Sequence, residues 1–148
     1  MSFKPIRTFL ADRLTAVDSD FKPFLQAFDN SEIGVNGFNK KYHIFYGNVT
    51  TVSSDMNTTN DTVSAVVNLY FQGARTSTEA LDNGMDIANL YRIECLKRTN
   101  FANLSFIKKV SCTSILAEPV DQSNDNAVKI SLAFSISVVF GVGLNLDC

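Results

Sequence analysis

The chain has 148 residues, 45% of them hydrophobic and 19% charged, with a formal net charge of -2. That is the length of one ordinary domain, with enough apolar material for a packed core and too little charge for a disordered chain. The mild acidity leaves no basic footprint for tight DNA or RNA binding, and no stretch approaches the roughly 20 apolar residues of a membrane-spanning helix. We read residues 1–148 as a single soluble domain with no membrane partner.

In chain order, Phe3, Ile6, Phe9, Leu10, Leu14 and Val17 cluster on one face at about 100° per residue and predict an amphipathic helix. Ser2 is the expected N-cap, and Pro5 falls in the first turn, where its missing N–H costs little. Phe21, Phe24, Leu25 and Phe28 repeat the pattern and predict a second short helical piece. Gly34-Val35-Asn36-Gly37 marks a loop, and Tyr42 to Val52, rich in aromatic and β-branched residues, predicts a strand. Ser53 to Thr62 is polar apart from Met56 and reads as a long, mobile connection. Val63, Ala65, Val67, Leu69 and Phe71 then alternate with polar residues, as a strand with one buried face does.

Thr76-Ser77-Thr78-Glu79 is a capping-box pattern that opens a helix from about Ser77 to Lys97. Its apolar arc holds Ala80, Leu81, Gly84, Met85, Ile87, Ala88, Tyr91, Cys95 and Leu96. Leu90 and Ile93 project from the polar side instead, and two apolar neighbours three residues apart there mark a candidate partner surface. Arg92 on this helix and Arg13 on the first fall within the apolar arcs, so each must run its stem to the edge or find an acidic partner. A weaker strand is predicted from Ile107 to Ala117, and a polar turn from Asp121 to Asn126. Val128, Ile130, Leu132, Phe134, Ile136, Val138 and Phe140 then alternate in a final strand, whose register they fix. At about 3.4 Å per residue that strand would run roughly 45 Å, so it must bend or reach beyond its own domain. The expected architecture is α+β: an antiparallel sheet of about four strands with helices packed on one face, in the order α-β-β-α-β-β.

Residue types that carry catalysis are scarce. His43 is the only histidine and reads as a core or sheet-surface residue facing the same way as Phe45 and Val49. Cys95, Cys112 and Cys148 are too widely spaced for a zinc site, lack a nucleophile motif, and are odd in number, which argues for a reducing compartment. Asp82/Asp86 lie on a solvated helix face, and Asp18/Asp20 flank a helix break where capping explains them. Gly141-Val142-Gly143 follows a strand with no helix after it and is no phosphate loop. No metal, cofactor or enzymatic activity is expected.

The whole element order, and the strand-to-helix junction from Leu69-Tyr70-Phe71-Gln72 to Thr76-Ser77-Thr78-Glu79-Ala80-Leu81-Asp82, resembles the lambda-type tail terminator, or tail completion, proteins of long-tailed bacteriophages. The resemblance implies a virion protein, assembled in the host cytoplasm, that forms a homo-oligomeric ring, usually a hexamer. Such a ring sits on the head-proximal end of the tail tube, ends its growth and offers a face to the neck or head-completion protein. DNA would only pass through its lumen. The implied interface comprises Leu90, Ile93 and Arg92 on the helix, Met56, Asn57, Asn60 and Asp61 in the first polar loop, and Asp121 and Asp125 in the second. Another head-tail connector or neck ring is the alternative within this class. A small enzyme and a dimeric α+β module binding a small molecule on the bare sheet face are the alternatives outside it.

Overall fold

A computed structural model of the protein describes residues 3–23, 39–55, 57–72, 77–119 and 127–141. Helix α1 (Lys4–Val17) forms where the first apolar stripe was expected, with Pro5 in its first turn and Phe3 at the N-cap without a side-chain cap. Ser2 lies outside the described residues. The helix buries Ile6, Phe9, Leu10 and Leu14, and closes with the Asp18 N–H donating to the Leu14 carbonyl at 2.9 Å.

The short helix expected from Phe21 is not what the visible part adopts. Lys22–Pro23 is a strand, β1, pairing in parallel with Lys41 and Tyr42, and the Lys22 N–H donates to the Lys40 carbonyl at 3.0 Å. Extended geometry suits a residue that precedes proline, but Lys4 before Pro5 is helical, so it is the pairing with β2 that holds Lys22 extended. Phe21 is buried, its ring edge-on to Phe71 at 5.6 Å. Phe24, Leu25, Phe28 and the loop at residues 34–37 lie outside the described residues.

Strands β2 (Lys41–Ser54) and β3 (Thr58–Phe71) form one long antiparallel hairpin, which corrects the expected mobile connection over residues 53–62. The polar residues stand within paired strands, β2 running to Ser54 and β3 starting at Thr58. Asp55 makes it tight: Oδ1 accepts the N–H groups of Asn57 and Thr58, both at 2.8 Å, while its own N–H donates to the Thr58 carbonyl. An Asx-type turn of this kind lets polar sequence close a hairpin.

Helix α2 (Ser77–Leu96) begins at the predicted capping box, whose Thr76 lies outside the described residues. Gly84 lets it sit close to the sheet, since a Cβ there would stand 2.7 Å from Ile130 Cδ1 and 2.9 Å from Phe71. A single turn, α3 (Arg98–Phe101), follows and was not legible from periodicity. Strands β4 (Ile107–Pro119) and β5 (Val128–Gly141) complete the sheet; the turn at Asp121 to Asn126 lies outside the described residues.

The strand order is β1-β2-β3-β5-β4, so the sheet has five strands and is mixed, where about four antiparallel strands were expected. The difference is the two-residue parallel β1; every other pairing is antiparallel. Strand β5 does not reach outward. It pairs with β3 along its whole length, and the accommodation is made by its flanks, since β2 and β4 carry register shifts. Extra residues on outer strands increase local twist and bend the sheet. All seven alternating apolar residues of β5 are buried, facing α1 and α2 with Val63, Ala65, Val67 and Leu69 of β3. The two helices are tied by Tyr91, whose hydroxyl donates to the Leu10 carbonyl at 2.8 Å while its ring meets Phe134 edge-on.

Candidate functional site

The outward side of α2 carries the predicted partner surface. Ala80, Gly84, Ala88, Tyr91 and Cys95 turn to the core, which leaves Leu90 54% and Ile93 43% exposed, with Met85 and Leu96 also open on the flank. The acidic residues Asp82 and Asp86 share this outward side, two turns and one turn before Leu90. Arg92 is half-buried and donates to the Asn89 side chain one turn back. Arg13 finds an acid within its own chain: its Nη1 lies 3.9 Å from Glu94 Oε2. The Lys97 ammonium, 2.7 Å from the other Glu94 oxygen, holds that carboxyl below its usual range.

Of the loop residues predicted at an interface, Asn57, Asn60 and Asp61 are described, and Met56, Asp121 and Asp125 lie outside the described residues. Asn57 is exposed in the hairpin turn; Asn60 sits on β3 and donates to Ser53 Oγ at 2.7 Å. Asp61 faces the core side of β3, opposite Val138, and is only 8% exposed. Its Oδ2 accepts from Thr59 Oγ1 at 3.1 Å, but Oδ1 is buried without a hydrogen-bond partner. Leu90 and Ile93 on α2 and Asp61 on β3 therefore stand on separate elements and form no single cluster.

A second apolar surface escaped the sequence reading. Among the described residues no element covers the sheet face opposite the helices. Its middle rows read Phe45, Val66, Ala133, Ser114 and His43, Asn68, Ser131, Leu116 across β2, β3, β5 and β4. Phe45 is 38% and Leu116 59% exposed, one near each side of a floor of small side chains that includes Ser64 and Ser135. Val66, standing in the polar register of β3, was the available signal. Val49 does not share this face as expected, because the irregularity between Tyr46 and Val49 rotates it to the side of Val63.

The reactive groups are disposed for structure. Burial pushes the Cys95 thiol up to about 12, and burial also raises Cys112, so neither is poised as a thiolate. His43 is half-buried beside Phe45, ring centroids 5.6 Å apart, and burial with the charge of Arg7 lowers its pKa. Asp18 accepts from the Asp20 N–H at 3.0 Å and from Lys40 Nζ at 2.8 Å, locking the end of α1 to the start of β2. Burial alone would raise its carboxyl, but these bonds and the Lys40 charge outweigh it and lower the pKa.

Two clefts lined by described residues lie elsewhere. One of about 520 Å³ runs between α1 and the segment after α3, floored by Phe9 and Leu104 and edged by Lys4, Arg13 and Asn103. The other, about 550 Å³, lies between Lys40, Gln72 and Asn83. Neither is lined by alternate residues of the open sheet face. No helix among the described residues is long and apolar enough to cross a membrane.

No protein-family model matches the chain, and no curated protein does. Among solved structures, it superposes on a chain from one described as "Virion of native gene transfer agent (GTA) particle", with a TM-score of 0.46 and 10% identity, over 88% of this chain and 92% of that one. Agreement at that level specifies neither a family nor a role.

Proposed function

We propose that this chain is a structural virion protein that assembles into a ring, as a tail terminator does at the head-proximal end of a phage tail tube. The observation that carries the reading is that the subunit exposes apolar side chains on two opposite sides, Leu90 and Ile93 on α2 and Phe45 and Leu116 on the far face of the sheet. A head-to-tail contact needs two different surfaces on one subunit, and it closes into a ring when the rotation allows. The element order that resembles tail terminators, and thiols that burial keeps protonated, support assembly over turnover.

In this reading six copies form the ring, the tube protein meets one rim, a neck or head-completion protein meets the other, and DNA passes through the lumen. Asp61 supports an interface role for the hairpin, because a buried carboxylate oxygen without a partner, Oδ1, costs stability that function would have to justify. The test is native mass measurement with a tube-assembly reaction. We expect oligomers alone, and tubes whose growth stops when the protein is added. A monomer that leaves tube ends growing would reject the reading. Rings that bind heads without affecting tube length would favour a neck connector instead.

A further inference from the structure

We propose that the open face of the sheet receives α2 of a second copy of this chain, so that each subunit completes its neighbour's sheet with a second helical layer. The inference rests on the ring reading and names the contact that builds the ring.

Shape is the first argument. Three inter-strand gaps place β2 and β4 about 14 Å apart, and a helix with its side chains is about 10–12 Å across. Phe45 on β2 and Leu116 on β4 are the exposed walls, and Ser64, Val66, Ser131 and Ala133 between them are small enough to let a helix approach. A sheet with helices on one face only leaves the other to water or to a partner.

Charge is the second argument, and it sets direction. One row at the end of this face carries Lys41, Tyr70, Lys129 and Glu118, with Lys129 paired to Glu118 at 2.9 Å. From this row to the Phe45 row is about 13 Å of strand. On α2, the midpoint of Asp82 and Asp86 lies about 11 Å along the axis from the midpoint of Leu90 and Ile93. A neighbour's helix laid between Phe45 and Leu116 with Leu90 and Ile93 downward therefore brings its acidic turns to the lysine row. The two surfaces lie on opposite sides of the subunit, so the contact is heterologous and leaves one of each free for the next copy.

The test uses the full chain and two double variants, Leu90→Asp/Ile93→Asp and Phe45→Asp/Leu116→Asp. All four positions are exposed, so both should keep the wild-type far-UV spectrum and the thermal midpoint of the dissociated wild-type subunit. Each alone should be monomeric by native mass. Mixed in equal amounts they should give a heterodimer and nothing larger, because each retains the surface that the other lacks. A charge exchange provides the second arm. Asp82→Lys/Asp86→Lys and Lys41→Glu should each raise the concentration for half-assembly roughly tenfold, and together restore it. If the sheet-face variant assembles as wild type does, the inference fails while the ring reading stands. If it forms dimers that the helix-face variant cannot, α2 pairs with its own copy and the inference fails. A wild-type protein that stays monomeric, alone and with tube protein, removes the ring reading as well.

Discussion

Three buried residues have measurable consequences of different sign. Gly84 is required by close approach, since an added Cβ would meet Ile130 and the Phe71 ring below 3.0 Å. Gly84→Ala should destabilise the fold by about 1–3 kcal/mol despite alanine's better helix propensity, read as a lower chemical-denaturation midpoint. Cys95, whose thiol burial pushes from an ordinary 9.0 up to about 12 in the fold, makes stability pH-dependent. Its neutral form is favoured in the folded state, so the contribution is full below pH 9 and is lost as pH rises toward 12. Buried Tyr91 acts in the same direction above pH 10. Unfolding free energies measured between pH 8 and 10.5 should fall steeply, and Cys95→Ala should flatten that slope while lowering stability at pH 8. Asp61 should behave oppositely: Asp61→Val removes an orphaned carboxylate oxygen and places an apolar side chain opposite Val138. A stability gain of about 1–2 kcal/mol with weakened assembly is expected; a loss of stability would show that a partner for the carboxylate had been missed.

At the level of elements, local chemistry explains where the structure departs from periodicity. The aromatic spacing after Asp20 fits a helix, yet Lys22–Pro23 pairs with β2 as extended chain, and the rest of the expected piece lies outside the described residues. Residues 53–62 look like a loop by composition, yet Asp55 gathers two backbone N–H groups and closes a tight hairpin, so polar residues on either side become paired strand. Hydrogen bonds from the Asn57 and Thr58 N–H groups lower the Asp55 carboxyl. Its contribution is thus present above pH 3.8 and fades as pH falls through the lowered value. Asp55→Ala should speed amide hydrogen exchange in residues 50–61 several-fold with little effect on the strands beneath α2, because the tip packs on no helix. Uniform acceleration across the sheet would contradict that local role. Helix α2 was legible from its capping box and its arc, and so were the exposed Leu90 and Ile93, because a helix displays its faces at fixed angles.

For the whole molecule, assembly should bury two surfaces that the subunit leaves open, and the mass, tube-length and complementation measurements read that directly. The sequence by itself determined the long elements, the register of β5 and the core face of β3, since alternation over many residues leaves one arrangement that hides them all. It also marked Leu90 and Ile93, through a violation of pattern within one helix. Only the tertiary structure decided the strand order, the parallel β1 and the open face joining Phe45, Val66 and Leu116. Those residues stand on different strands, and one of them occupies a polar register. Periodicity reports what a single element buries along its own axis; which strands become neighbours is set by non-local pairing and by close contacts such as Gly84 against Ile130, and neither leaves a local signature.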